Sequence, residues 1–292
     1  MSYLVQFLAR WPLTWLHRVG AALGWVVYWA SPEYRGRLRE NTARAGVPMR
    51  ARRQAVAEAG KMVMELPSLW LRPADVTLGD MARWEGLELI ETALAEGKGL
   101  VLLTPHLGAF EVCAQACAEA FGARHPLTVL YRPSRQPWLR RWVEASRQRP
   151  GLLTAPAELS GVRQMIRALR AGHAVGLLPD QVPPDGLGVW APFFGQPAYT
   201  MTLAARLVQQ TGAPALLIWA ERLGGGRGYR LRVSGLPDPV RPEDDAAQSA
   251  TRINHAMESI IMQCPQQYLW GYNRYKSPRG LPAALAPKPE AR

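Results

Sequence analysis

The chain has 292 residues, 48% hydrophobic and 20% charged, which excludes a disordered polypeptide and fits one large domain better than two. Thirty-five Lys+Arg against 23 Asp+Glu give a net charge of +12, almost all of it arginine. Such a surplus draws polyanions, whether anionic lipid, nucleic acid, phosphorylated substrates or an acidic protein.

The N-terminal residues 3–16 are apolar and aromatic, and residues 19–30 carry no charge. That run is too short for a bilayer span of about 20 residues. Trp11, Trp15, Trp25, Tyr28 and Trp29 crowd it, and Arg18, Arg35, Arg37 and Arg39 flank it. Short apolar segments with aromatic residues and flanking arginines describe helices lying in a membrane interface. The competing reading is a buried helical hairpin. No cleavage site of the signal-peptide kind follows the run.

Residues 36–70 read as helices, with Val56, Met62, Val63, Leu66 and Leu69 at helical spacing and Pro67 expected to end or kink the second. Residues 87–96 form another, closed by Gly97. Short continuous apolar runs follow at 99–104, 127–131, 174–178 and 213–219, as buried parallel strands would show. Residues 229–233 alternate, like a half-exposed strand near a sheet edge. Helical stretches at about 108–121, 135–148, 159–171 and 200–211 separate these runs, and a last helix covers about 243–263. The expected fold is therefore α/β: a mainly parallel central sheet flanked by helices, with an N-terminal helical membrane-associating extension. Residues 1–35 make that extension, 36–276 the α/β domain, and 277–292 a loose tail rich in Pro and Ala. Cys113, Cys117 and Cys264 offer neither a disulfide framework nor a zinc set. The first two share one helical face and read as core residues in a reducing compartment.

Thr104-Pro105-His106 closes the first apolar run, at the carboxyl edge where open α/β sheets build ligand sites. His106 and Glu111 lie five apart, about 140° around one helix, so they cooperate only if His106 sits in the turn before the helix and Glu111 in its first turns. Gly108 between them lets another backbone come close. An imidazole backed by a carboxylate is a general base suited to acyl transfer onto a hydroxyl or amine. No Gly-x-Ser-x-Gly elbow supports a hydrolase reading. By itself a His-x4-Glu spacing is weak evidence.

The later motifs carry more weight: Tyr131-Arg132-Pro133 after the second strand, Arg147 and Arg149 at the end of the next helix, and Pro179-Asp180-Gln181 after the third strand. Pro192-Phe193-Phe194-Gly195, Pro265-Gln266-Gln267-Tyr268-Leu269-Trp270 and Asn273-Arg274-Tyr275 complete the set. In this order, over roughly residues 5–280, they resemble the bacterial lipid A biosynthesis (lauroyl/myristoyl) late acyltransferases, within the lysophospholipid acyltransferase superfamily. The resemblance implies an enzyme of the bacterial inner membrane, on its cytoplasmic face, that moves a fatty acyl chain from acyl-acyl carrier protein to a hydroxyl of a lipid A precursor without a metal or redox cofactor. On that resemblance His106 and Glu111 are the catalytic pair, and Arg147 and Asp180 are further polar site residues. Arg132 and Arg149 are added as candidates for substrate or oxyanion binding. Arg147 either stabilises the thioester oxyanion or binds substrate phosphate. Arg135, Arg140, Arg141, Arg147 and Arg149, with Trp138 and Trp142, make a basic cluster that suits acyl carrier protein or lipid phosphate. Related acyltransferases acting on another lipid or an amino-acid conjugate are the near alternative. A nucleic-acid binder is the distant one, and it finds no binding motif.

Overall fold

The structure is a computed structural model and describes residues 2–131, 136, 142–144 and 146–278. Four helices lead: α1 (Ser2–Ala9), α2 (Leu13–Ala30), α3 (Pro32–Arg44) and α4 (Met49–Trp70). Ser31 starts α3 as a genuine cap, its hydroxyl accepting from the Tyr34 amide at 3.3 Å, with Pro32 at the first helical position. Pro67 does not end α4, which runs on to Trp70. Among the described residues no helix is long and apolar enough to cross a membrane.

The packing of α2 on α4 follows from three glycines. A Cβ on Gly24 would lie 2.2 Å from the Val56 carbonyl oxygen, and one on Gly60 1.9 Å from that of Gly20. The two backbones therefore touch where no larger residue fits. With Leu16, His17, Gly20 and Gly24 turned inward, α2 leaves Trp15, Leu23, Val26, Val27 and Trp29 exposed, Trp29 to 66%. Helical spacing puts these apolar residues on one outer stripe. Arg18 lies over the Trp15 ring at 5.1 Å, and Arg35 donates to the Tyr28 and Trp29 carbonyls, both at 3.2 Å.

The central sheet has seven strands: β1 (Ala82–Glu85), β2 (Leu100–Leu103), β3 (Leu127–Tyr131), β4 (Leu152–Pro156), β5 (Ala174–Leu177), β8 (Ala215–Arg222) and β9 (Tyr229–Gly235), in the order β1-β9-β8-β2-β5-β3-β4. The five from β8 to β4 are parallel, while β9 pairs antiparallel with β8 through the tight Gly224–Gly226 turn, and β1 follows β9. Helices α5 (Leu87–Ala95), α6 (Phe110–Phe121), α7 (Leu159–Arg170), α8 (Leu203–Thr211) and α9 (Ala246–Ile261) cover the sheet. The core divides accordingly. One apolar cluster joins Val101, Leu103, Val175, Leu177 and Leu217 to α7, α8 and α9, and the other joins Leu100, Leu102, Val129 and Ile218 to α5 and α6. Alternate residues of each strand serve opposite faces, as two-sided burial requires.

A separate antiparallel ribbon, β6 (Gly188–Phe193) and β7 (Gln196–Met201), turns through Phe194 (φ 47°) and Gly195 (φ 71°). Two positive φ values are what a two-residue hairpin demands. Of the helix expected at 135–148, residues 142–144, 146 and 147 are described and helical. Arg132, Arg135, Trp138, Arg140 and Arg141 lie outside the described residues, as does the tail from 279.

Candidate active site

Strands β2, β5 and β3 are neighbours, and the segments leaving the carboxyl ends of β2 and β5 meet at His106 and Asp180. His106 lies in the turn after β2, and α6 begins four residues later with Glu111 in its first turn, the division that helix geometry requires. Gly108 makes the turn possible. Its φ is +60°, and a Cβ there would stand 2.0 Å from the Ala220 carbonyl oxygen of β8. Three backbone bonds fix the turn against its neighbours: Gly108 N to Gln267 O (3.0 Å), Ala109 N to Ala220 O (2.8 Å) and Leu269 N to His106 O (3.1 Å). The segment 265–270 is thus a strut beneath the histidine.

The carboxylate on the imidazole is Asp180. His106 Nδ1 donates to Asp180 Oδ1 at 2.8 Å, and the His106 backbone N–H donates to Oδ2 at 2.9 Å. Asp180 is 2% exposed. Burial alone would push its carboxyl up, but His106 at both oxygens and the nearby Arg274 guanidinium hold it below the usual range. Arg274 is itself buried, donating to the Tyr199 carbonyl and to Thr200 Oγ1, both at 2.7 Å. It secures the ribbon below the aspartate. With Nδ1 committed, Nε2 carries the lone pair, and Gln181 Nε2 donates to it at 3.1 Å. The Phe110 ring packs against the imidazole, centroids 4.8 Å apart.

Glu111 has a different partner. Arg147 Nη2 reaches its carboxylate at 3.3 Å, and the guanidinium lies 5.4 Å from the centroid of the Tyr131 ring. The hydrogen bonds of the described residues therefore join His106 to Asp180 and Glu111 to Arg147, and the expected bond from Glu111 to the imidazole is not among them. Arg149, expected as a substrate-binding candidate, spends its donors on backbone instead: Arg72 O (2.6 Å), Pro73 O (3.1 Å) and Ser146 O (3.3 Å). It fastens the loop after α4. Gln181 is a site residue that the sequence argument passed over, and its place directly after Asp180 was the available signal.

Glu111 and Arg147 stand at one end of a cavity of about 60 Å³ between α6 and the sheet. Its walls are almost wholly apolar, with Leu102, Ala114, Val129 and Gly176 among them, and Cys113 and Cys117 on the α6 side. From Glu111 to Cys117 the helix advances roughly 9 Å, so the cavity runs inward from the polar end. Burial pushes the Cys113 thiol up to about 12, which leaves it protonated and unreactive.

This arrangement offers an imidazole whose Nδ1 is tied to a carboxylate, a guanidinium held by Glu111, and an apolar recess leading away from that pair. Comparison with known proteins identifies the family. Residues 2–277 fit the family model described as bacterial lipid A biosynthesis acyltransferase. The chain is 30% identical over 232 residues to the lipid A biosynthesis lauroyltransferase of Escherichia coli K12, covering 77% of this chain and 71% of that one. It is 27% identical over 219 residues to the palmitoleoyltransferase of the same organism, covering 75% and 69%. To the myristoyltransferase of that organism it is 24% identical over 192 residues, covering 64% and 56%. The chain belongs to the bacterial lipid A biosynthesis acyltransferase family.

Proposed function

We propose that this acyltransferase moves a fatty acyl chain from an acyl carrier protein thioester to a hydroxyl of a lipid A precursor, with His106 as general base. The observation that carries this reading is the Asp180–His106 pair beside the apolar recess. Asp180 accepts the hydrogen bond from Nδ1–H, which keeps the proton on Nδ1 and leaves the Nε2 lone pair to take a proton. The acceptor hydroxyl displaces the Gln181 amide from Nε2, gives its proton to His106 and attacks the thioester carbonyl. The tetrahedral intermediate collapses by breaking the C–S bond, and the leaving thiolate takes the proton back from the imidazolium. Arg147 Nε is buried without a partner among the described residues, a donor free for the developing oxyanion. Glu111 keeps that guanidinium in place. The apolar lining of the recess suits the acyl carbons next to the thioester.

Incubation with acyl carrier protein thioesters and a lipid A precursor is expected to give an acylated product by mass spectrometry. Transfer only to other lipids or to amino-acid conjugates would redirect the acceptor assignment to the near alternative.

The N-terminal helices are the membrane-associating part in this reading. The outer stripe of α2 supplies apolar contact, and the arginine surplus supplies attraction to anionic lipid. Changing Leu23, Val26, Val27 and Trp29 together to serine should lower co-sedimentation with phosphatidylglycerol-containing vesicles at least roughly tenfold. Each such side chain gains about 1.5–3 kcal/mol when fully buried, and a tenfold change needs only about 1.4 kcal/mol. Undiminished co-sedimentation would show that α2 is not the contact.

A further inference from the structure

A second buried polar cluster lies behind the catalytic turn, where the acyl-transfer scheme assigns no role. Arg222, the last residue of β8, is 4% exposed and Glu65 of α4 is 1% exposed. Arg222 Nε and Nη2 clasp both Glu65 oxygens at 2.8 and 2.5 Å, and Nη1 reaches Glu58 at 2.9 Å. On the far side Glu65 Oε2 meets His17 Nε2 of α2 at 3.0 Å and accepts from the Tyr229 hydroxyl at 3.3 Å. Burial would push the Glu65 carboxyl up, yet Arg222 and His17 bring it below the ordinary range.

The cluster also touches the catalytic turn. Arg222 Nη2 donates to the Gly108 carbonyl at 3.1 Å, and the Arg222 backbone exchanges both of its hydrogen bonds with the Gln267 side chain, at 2.8 and 2.9 Å. Gln267 in turn accepts the Gly108 N–H on its own carbonyl. Gly108, which joins His106 to α6, is therefore held at its nitrogen by Gln267 and at its oxygen by Arg222. We propose that Arg222 is a positioning residue for this turn, and that the chain His17–Glu65–Arg222 makes helix α2 part of the apparatus that sets the place of His106.

Physical grounds favour this over a stabilising role alone. A buried ion pair is poor evidence of stability, because desolvating both charges offsets most of their attraction. A guanidinium is suited to grip a carboxylate bidentately and still serve a third acceptor, which an ammonium on a flexible stem does less well. What the cluster does achieve is geometric: α2 and α4, through His17 and Glu65, fix the one guanidinium that grips a carbonyl two residues from the base. Misplacing a catalytic group by about 1 Å can cost on the order of 100-fold in rate.

The proposal rests on the reading of His106 as base, and the test separates the two. The double variant Glu65→Leu/Arg222→Met replaces the pair by apolar residues of similar length. It should unfold near the parent temperature, while kcat for acyl transfer falls at least roughly tenfold with KM little changed. His17→Leu, which leaves Arg222 and Glu65 together, should lower kcat by a smaller factor. A double variant that folds and retains parental kcat overturns the positioning role, and a His17→Leu enzyme with parental kcat removes α2 from it. Should the double variant not fold, Arg222→Lys decides by the same kcat and KM readouts. His106→Ala, assayed alongside, should lower transfer by at least roughly 100-fold, which keeps a failure of positioning distinct from a failure of the base assignment. Retained transfer there would defeat the base assignment itself.

Discussion

His106→Ala is expected to lower acyl transfer by roughly 10²–10⁴, the range that a positioned general base contributes, with thermal unfolding close to that of the parent. In barrier terms this is about 3–5 kcal/mol, at 1.36 kcal/mol per decade. The large effect follows from the lack of a substitute. Nε2 faces the Gln181 amide, which carries no basic lone pair, and the Asp180 carboxylate is buried behind the ring. Folding should survive because the turn is held by its backbone, through Gly108, Ala109 and the His106 carbonyl, and not by the imidazole. A variant within a few-fold of the parent rate would exclude His106 as the proton acceptor.

The second large effect is expected at Asp180. Asp180→Asn keeps the shape and can still accept the His106 backbone N–H. Its amide, however, cannot both do this and hold Nδ1–H as a carboxylate does. The wrong tautomer puts a proton on Nε2, and in the serine-protease template the equivalent loss costs about 10⁴. A fall of roughly 10²–10⁴ is expected here, and the double variant with His106→Ala should be little slower than His106→Ala alone, since residues acting as a unit are non-additive. Glu111→Gln gives the contrast. It should act through Arg147 and lower the rate less than Asp180→Asn. If Glu111→Gln were the more damaging change, the orienting carboxylate would be Glu111. Asp180 also leaves a mark on stability. Its carboxyl is held below the ordinary value, so the stability it contributes is present above the unfolded pKa of about 3.9 and is lost as pH falls through the lower folded value. Unfolding measured from neutral to acid pH should therefore show a shallower acid-side loss in Asp180→Asn than in the parent.

The parts of the fold visible in the sequence were those in which local pattern and global position agree. The runs that became β2, β3, β5 and β8 are buried on both faces and read as continuous apolar stretches. The strands that went unseen are β1, β4 and the β6–β7 ribbon. Ala82–Glu85 alternates over only four residues, and Leu152–Pro156 exposes Leu153, so each is an edge strand too short or too irregular for its pattern to stand out. The ribbon contains Pro192 and Pro197, which argue against a strand in a sheet interior. In the structure they face each other in a two-stranded pair that lies outside the main sheet. The site divides in the same way. His106 and the need for Gly108 were legible because strand, turn and helix adjoin in the chain. The partner on Nδ1 was not, because Asp180 is 74 residues away and only its arrival at the same sheet edge marked it. Glu111 was the nearer carboxylate in sequence, but α6 turns it toward Arg147.

The glycine seam between α2 and α4 has a consequence for what surrounds the protein. A joint made by backbone against backbone, at Gly20, Gly24 and Gly60, gains its strength from close van der Waals fit. That attraction persists when water is replaced by hydrocarbon, which is why small residues recur where helices meet inside bilayers. The joint is thus indifferent to its solvent. On the proposed membrane contact, helix α2 would keep the same grip on α4 while its outer stripe meets acyl chains.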